Sequence, residues 1–474
     1  MLILVAVVLL PVDPASVDPG PAAAFTIGGT VVLLGSAVLS SAWLQRGLRG
    51  PAARSRIRSA GRVLRGLQWL ATGLVAVGVF GFGLREVVQG VIGDPPLVDE
   101  LFTIAPALVV ITATWWIFHP FEKHVQEAVI LRQLDEGGPV QPPSERMGWV
   151  WMQVRTQMLI LLVPIGMVVL VGECIGLMLA GRPDDPVWLR SLLSGLAIVP
   201  VLVFAPAIVV RILGARPLPN GEIRTTLQGM CRKAGVGVRE LLLWPTGGAM
   251  VNAAVTGITG RLRWVMLTDG LLETLRREQV MAVMAHELAH ARRHHMPWMA
   301  LSVLALASGL ALLCDPLVLG IIDWRIRMGG SPVDVQRDLG VIELLTTGSI
   351  LAATLVGFGW VSRRFERQAD AYAACVLSME LEETPGEVVT IAGIAAMGSA
   401  LIRVSGSSGV PSRRFSWRHG SIASRVSHLR SLVDVAIEDL PIDRTVRRIN
   451  LASVLLVTAV AGWLMLEFVG EVAS

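Results

Sequence analysis

Residues 283–295 read VMAHELAHARRHH. His286 and His290 stand four apart, which on a helix is about 6 Å along one face. Two imidazoles so placed can reach one tetrahedral zinc ion through ring nitrogens. Glu287 follows the first histidine. Its carboxylate can reach a water on the metal without being a ligand, which is where a general base has to stand. The pattern predicts one helix from about Glu278 to Met296, stopped by Pro297. His294 is about 12 Å along that helix from His286, too far to complete the ligand set. His294 and His295 are expected at the cationic end of the helix, near its negative dipole end and a membrane surface. The pattern that places a Gly three residues after His290 and a third histidine ligand three residues further on is excluded, because position 293 is Arg and position 296 is Met.

The chain around the motif is that of a membrane protein. Of 474 residues, 53% are hydrophobic and 16% charged, with mean hydropathy +0.62. Soluble domains carry about 25% charged residues. Eight apolar stretches are long enough to span a bilayer, at roughly 24–44, 66–84, 101–119, 157–180, 190–210, 298–322, 341–361 and 451–470. The run at 2–10 is too short to span and lacks a basic start. It reads as a poor signal peptide or an interfacial piece.

Seven arginines between Arg46 and Arg65 fill the loop after the first span, and the next loop carries Glu86, Asp94, Asp99 and Glu100. The positive-inside rule puts the arginine loop in the cytoplasm. Counting crossings then puts 120–156, 211–297 and 362–450 there too. The basic residues orient the chain and do not call for nucleic acid. Four widely separated cysteines suggest neither a disulfide framework nor a cysteine zinc site. No repeat of the inverted-transporter kind is visible.

A catalytic zinc takes three protein ligands and leaves one position open. The stretch SRRFERQADAYAA, 362–374, offers Glu366 and Asp370, again one turn apart. Glu366 can be the third ligand. Asp370 can accept a hydrogen bond from the outer nitrogen of a liganding histidine, which fixes its tautomer. The spans 298–322 and 341–361 form a hairpin that returns Glu366 to the side of the membrane where His286 lies. Before the motif, 221–235 reads as an amphipathic helix. VRELLLWP, MVNAAVTG and RWVMLT read as three short strands.

At these residues the chain resembles the integral-membrane zinc metalloendopeptidases of the HtpX and CAAX prenyl protease family. VNAAVTG is similar to the family's Asn-Ala edge strand. LTDGLLETLRREQVMAVMAHELAHARRHH is similar to its active-site helix with the lead-in. RRFERQADAYAA resembles its third-ligand motif, and RHGSIASRVSHL at 418–429 its later His-Pro-x-x-x-x-Arg segment. Together these cover about 211–435.

The resemblance implies His286, His290 and Glu366 as ligands of one zinc per chain, Glu287 as catalytic base, and Asp370 and Arg425 as supports behind them. It implies substrate contacts from Asn252 and Ala253, and an oxyanion or substrate contact from His419. Gly420 stands where the family often has Pro, so a less rigid turn is expected after His419. The five spans before the catalytic helix exceed the two that HtpX-type proteins have there.

The expected architecture is mostly α: a polytopic transmembrane helical bundle of about eight spans with a small cytoplasmic α+β gluzincin-type zinc peptidase domain. The expected divisions are 1–210, 211–297, 298–361, 362–450 and 451–474. The expected function is an endopeptidase acting on membrane or membrane-associated polypeptides from the cytoplasmic face of a bacterial inner membrane, in protein quality control. A CAAX-type processing protease, a zinc-peptidase signalling sensor and an inactive scaffold are the alternatives. The lipid bilayer is the expected surrounding, and no nucleic acid is expected to bind.

Overall fold

Helices apolar on all sides are at home in lipid, and among the described residues eight are long and apolar enough to cross a bilayer. The computed structural model describes residues 4, 18–46, 48, 53–135, 145–180, 187–329, 332–381, 386–407 and 411–473. All of the run at 2–10 except Leu4 lies outside the described residues. The chain divides into two compact units.

The first unit comprises Met1–Pro217, Leu242–Met250 and Thr268–Glu273. Its helices are α1 (Pro19–Gln45), α2 (Ala53–Phe82), α3 (Leu84–Ile92) and α4 (Val98–Asp135). Then come α5 (Arg146–Gln153), a π-helical turn over Val154–Leu159, α6 (Ile160–Ala180) and α7 (Val187–Leu213). Asp18 starts α1 by accepting from Gly20 N at 3.0 Å, with Pro19 at the first helical position. Helices α1, α2 and α4 pack through small residues, among them Ala37, Ala60, Ala71 and Ala107, all fully or nearly fully buried. Small side chains let helix backbones approach closely where lipid offers no hydrophobic drive. Pro106, Pro120, Pro164, Pro200 and Pro206 sit inside these helices, as bilayer-spanning helices tolerate. The intramembrane acid Glu173 accepts from Leu97 N at 2.7 Å, a hydrogen bond inside the bundle.

The second unit comprises Leu218–Leu241, Val251–Leu267 and Thr274–Ser474. Four strands, β1 (Arg216–Pro217), β2 (Glu240–Trp244), β3 (Ala253–Thr256) and β4 (Trp264–Thr268), form a sheet in the order β1-β2-β4-β3, of which Glu240–Leu241, β3 and Trp264–Leu267 belong to this unit. Strand β3 is at the edge, paired antiparallel with β4 from Ala253 opposite Leu267 to Thr256 opposite Trp264. The amphipathic α8 (Glu222–Lys233) buries Leu227, Met230 and Cys231. A short α9 (Asp269–Thr274) precedes α10 (Arg277–Arg292), the helix of the opening motif. Next come α11 (His295–Arg327), α12 (Pro332–Leu381), α13 (Ile391–Ser407), α14 (Ile422–Arg430) and α15 (Pro441–Ala473).

The motif helix differs from its sequence reading. It ends at Arg292, and His294 takes the left-handed conformation at φ 53° to start α11. Pro297 does not stop a helix. It sits in the first turn of α11, where a missing N–H leaves no hydrogen bond broken.

Among the described residues, α12 is one helix from the second arm of the hairpin through Glu366 and Asp370. That continuity ties the position of Glu366 to the packing of a long helix. Helices α11, α12 and α15 approach closely at glycines: a Cβ on Gly309 would lie 2.9 Å from Leu456, and one on Gly357 2.7 Å from Leu306. Outward-facing Leu313, Leu317, Val356 and Leu466 are each at least two-thirds exposed, the surface a bilayer would cover.

Candidate metal centre

Helix α10 is buried on nearly every side. Val280, Ala282, Met284, Ala285, Leu288 and Ala289 carry the packing, and the helix lies against β3, α12 and α13. This fixes the direction of its two histidines. His286 Nε2 and His290 Nε2 face each other at 3.3 Å. Glu366 comes from α12, with Oε2 3.7 Å from His286 Nε2 and Oε1 3.8 Å from His290 Nε2.

These separations can be tested against an ion. Bonds of about 2.0–2.1 Å to nitrogen and oxygen at tetrahedral angles separate ligand atoms by roughly 3.3–3.4 Å. The three measured separations are at or just above that edge, so His286, His290 and Glu366 can surround one metal of this size without large movement.

The carboxylates behind the histidines are held by one arginine. Arg425, on α14 and buried, donates from Nε to Asp370 Oδ2 at 2.7 Å and from Nη2 to Asp370 Oδ1 at 2.6 Å. Its Nη1 lies 3.2 Å from Glu366 Oε2. Asp370 is wholly buried, and its Oδ1 also lies 3.0 Å from His286 Nδ1, at an angle too bent for a well-aligned hydrogen bond. Two carboxylates this deep need such a partner, because an unpaired buried charge is strongly unfavourable. Burial alone would lower the His286 pKa, but the Asp370 contact and the charges of Asp370 and Glu366 outweigh it, and the pKa is raised. The Arg425 guanidinium, by the same attractions, is held more firmly protonated than usual. His290, buried and near His286, is lowered to about 3.

Glu287 sits one position along from His286. Burial, reinforced by the charge of Glu366 and opposed by that of His286, raises its pKa to about 7. Its Oε2 accepts from Val255 N of β3 at 3.2 Å. The carboxylate is thus both near neutrality in its titration and aimed by the edge strand.

The residues at greater distance in sequence are also placed. His419 is half-exposed, and its Nδ1 lies 2.8 Å from Glu366 Oε1. The loop bearing it is closed by Ser416 N to Gly420 O at 3.1 Å and Gly420 N to Ser416 O at 2.8 Å. Gly420 has φ 75°, which proline cannot adopt. Glycine here permits a hydrogen-bonded turn whose backbone proline could not adopt. Ala253 begins β3 opposite Leu267, and the exposed Asn252 precedes it. Their strand reaches Glu287 through Val255.

The reading of His295 as part of the cationic end of the motif helix, near a membrane surface, fails. His294 is exposed, but His295 is fully buried, stacked on Phe365 at 4.7 Å, with its Nδ1 2.9 Å from His290 Nδ1. The reversal at His294 turns the next side chain back toward the motif. No local spacing signals this, because His294 is not a glycine and a helix running straight through to Met296 would point His295 elsewhere.

Residues 217–433 match the family model "Peptidase family M48". Protease HtpX of Xanthomonas campestris pv. campestris (strain B100) is 28% identical over 221 residues, which are 44% of this chain and 70% of that protein. A protease HtpX homolog of Thermoanaerobacter pseudethanolicus is 30% identical over 192 residues, 38% of this chain and 62% of that protein. The crystal structure of S. mikatae Ste24p aligns with a TM-score of 0.49 at 15% identity, over 86% of this chain and 97% of that one.

Proposed function

This chain is a multi-pass membrane metallopeptidase with a peptidase family M48 domain, and from that premise we propose that it is a zinc endopeptidase. Its substrates are membrane or membrane-associated polypeptides, cut at the cytoplasmic face of a bacterial inner membrane in protein quality control. The observation that carries the reading is the convergence of His286, His290 and Glu366 at separations close to the edge of one tetrahedron, with Glu287 beside them. Two imidazoles and one carboxylate are a donor set suited to zinc, one ion per chain.

Bound zinc supplies Lewis acidity, polarising the scissile carbonyl and acidifying water. The protein moves the proton. Glu287 takes it from the attacking water and hands it to the leaving amine nitrogen. Its raised pKa suits both halves of that exchange, because one group must accept and then donate near neutral pH. Asp370 and Arg425 hold His286 and Glu366 in orientation. His419, half-exposed beside Glu366, is the group proposed to meet the substrate's developing oxyanion. Strand β3, led by Asn252 and Ala253, takes an extended peptide along its edge. Backbone pairing of that kind tolerates many sequences, which suits damaged membrane proteins.

The test is cleavage of an unfolded membrane-protein substrate by the detergent-purified chain, with and without a chelator. Cleavage that stops with the chelator and returns with zinc is the expected result. Cleavage confined to a prenylated peptide would replace quality control with lipidated-substrate processing. Sidedness rests on the arginine loop, which favours a cytoplasmic site. In a cysteine-free background, Ser416→Cys should resist an impermeant thiol reagent in intact cells, and labelling from outside would reverse the orientation.

A further inference from the structure

Among the described residues, His290 is the metal-facing histidine whose outer nitrogen meets an imidazole and not a carboxylate. Its outer nitrogen meets a buried chain of polar side chains that ends on α15. His290 Nδ1 is 2.9 Å from His295 Nδ1, and His295 Nε2 is 2.8 Å from Gln368 Oε1. Gln368 Nε2 donates to Asp443 Oδ1 at 2.7 Å, and Arg293 Nη2 donates to Asp443 Oδ2 at 2.9 Å. From this chain we infer that His295 is a positioning residue, relaying the acceptor character of Asp443 through Gln368 so that His290 presents a bare Nε2 to the metal.

The direction of every proton in the chain follows from its outer end. Asp443, paired with Arg293, can only accept. Gln368 must therefore turn its amide nitrogen to Asp443 and its carbonyl to His295, since the flipped amide would oppose two acceptors. The Gln368 carbonyl in turn requires the proton of His295 on Nε2. That leaves His295 Nδ1 as an acceptor, so His290 carries its own proton on Nδ1. The lone pair of His290 Nε2 then points at His286 and Glu366, into the tetrahedron. Packing holds the relay in this register: the His295 ring stacks on Phe365 at an interplanar angle of 16° and meets the His290 ring edge-on. His295 and Gln368 are both buried, so water does not compete for these bonds.

The two histidines are therefore supported differently. His286 has an anion at its outer nitrogen, and His290 has a neutral imidazole whose orientation is fixed two residues further out. Losing such outer support typically costs 10- to 100-fold in metal affinity.

The inference rests on the proposed zinc centre, and its test separates the two. Zinc affinity of the full-length, detergent-purified chain is measured by competition with a chromophoric chelator, alongside the melting temperature of the metal-free protein. His295→Leu, which keeps bulk but neither donor nor acceptor, should weaken zinc binding about 10- to 100-fold. His295→Gln can still accept from His290 and donate to Gln368, and should restore most of that loss. Gln368→Leu removes the acceptor without touching His295 and should fall between them, so the relay remains testable if His295→Leu does not fold. A His295→Leu protein that folds and binds zinc like the wild type would overturn the relay, as would a His295→Gln protein no better than His295→Leu. A wild-type chain that binds no zinc would instead overturn the metal centre itself.

Discussion

In the first unit, Arg85 reaches Asp99 at 3.5 Å and Glu100 at 3.0 Å, and Glu173 brings a third carboxylate to the same cluster. In the second, Arg425 grips Asp370 through two nitrogens and touches Glu366 with a third. Both clusters bury acids on long apolar helices around one arginine, which is the ordinary way to keep carboxylates inside a membrane bundle. The difference is in what the carboxylates face. Three carboxylates without an imidazole offer only hard oxygen donors, whereas Glu366 shares its space with two imidazole nitrogens and borders a carboxyl of raised pKa. A buried acid cluster is therefore no sign of catalysis until nitrogen donors and a proton carrier join it.

The sharpest way to break this comparison is to remove the proposed proton carrier. Glu287→Gln should keep its zinc and lose about 10²- to 10⁴-fold in cleavage rate, the usual value of general-base help. Asp99→Asn, in the other cluster, should leave cleavage unchanged. Near-normal cleavage by Glu287→Gln, or a comparable loss in Asp99→Asn, would erase the distinction drawn between the clusters.

A second effect falls on stability. Arg425→Leu leaves Asp370 fully buried without its guanidinium and should cost about 3–5 kcal/mol, read from the chemical denaturation midpoint. Arg85 is one-fifth exposed and holds Asp99 at a longer distance, so Arg85→Leu should cost less. Equal losses would mean that Arg425 is only another bundle ion pair.

The smallest effect is on pH. Glu287 must be ionised to accept a proton, and burial raises its pKa to about 7 in the metal-free protein. Cleavage should fall as pH drops below neutrality, and the added positive charge of zinc should carry that limb to lower pH. A profile flat down to the ordinary carboxylate range in Glu287-dependent cleavage would show that burial does not set this titration.

What was legible in the sequence was what repeats locally. His286 with His290, and Glu366 with Asp370, are one-turn pairs, and a helical period makes each pair visible. Three of the four strands were legible as short runs split by turn residues, and the spans from sheer apolar length; the two-residue β1 was not. The left-handed residue His294 was not, because nothing in its side chain marks a positive φ. Missing that reversal hid His295, and with it a chain of contacts to residues 73 and 75 positions apart in sequence, which no periodicity encodes. Proline was misleading for a related reason: Pro297 breaks a helix interior but fits a first turn, and the choice between them depends on where the helix begins. The closing of the His419 loop by Gly420 depends likewise on a φ that composition alone does not reveal.

The central claim is that two imidazoles and one carboxylate from two distant helices hold a single zinc. X-ray absorption at the zinc edge of the purified chain, beside Glu366→Ala, tests this most directly. The account predicts one zinc per chain with nitrogen and oxygen neighbours at about 2.0–2.1 Å, including two imidazoles, and loss of most of the metal in Glu366→Ala. A sulfur neighbour at about 2.3 Å, or an unchanged zinc site in Glu366→Ala, would contradict it.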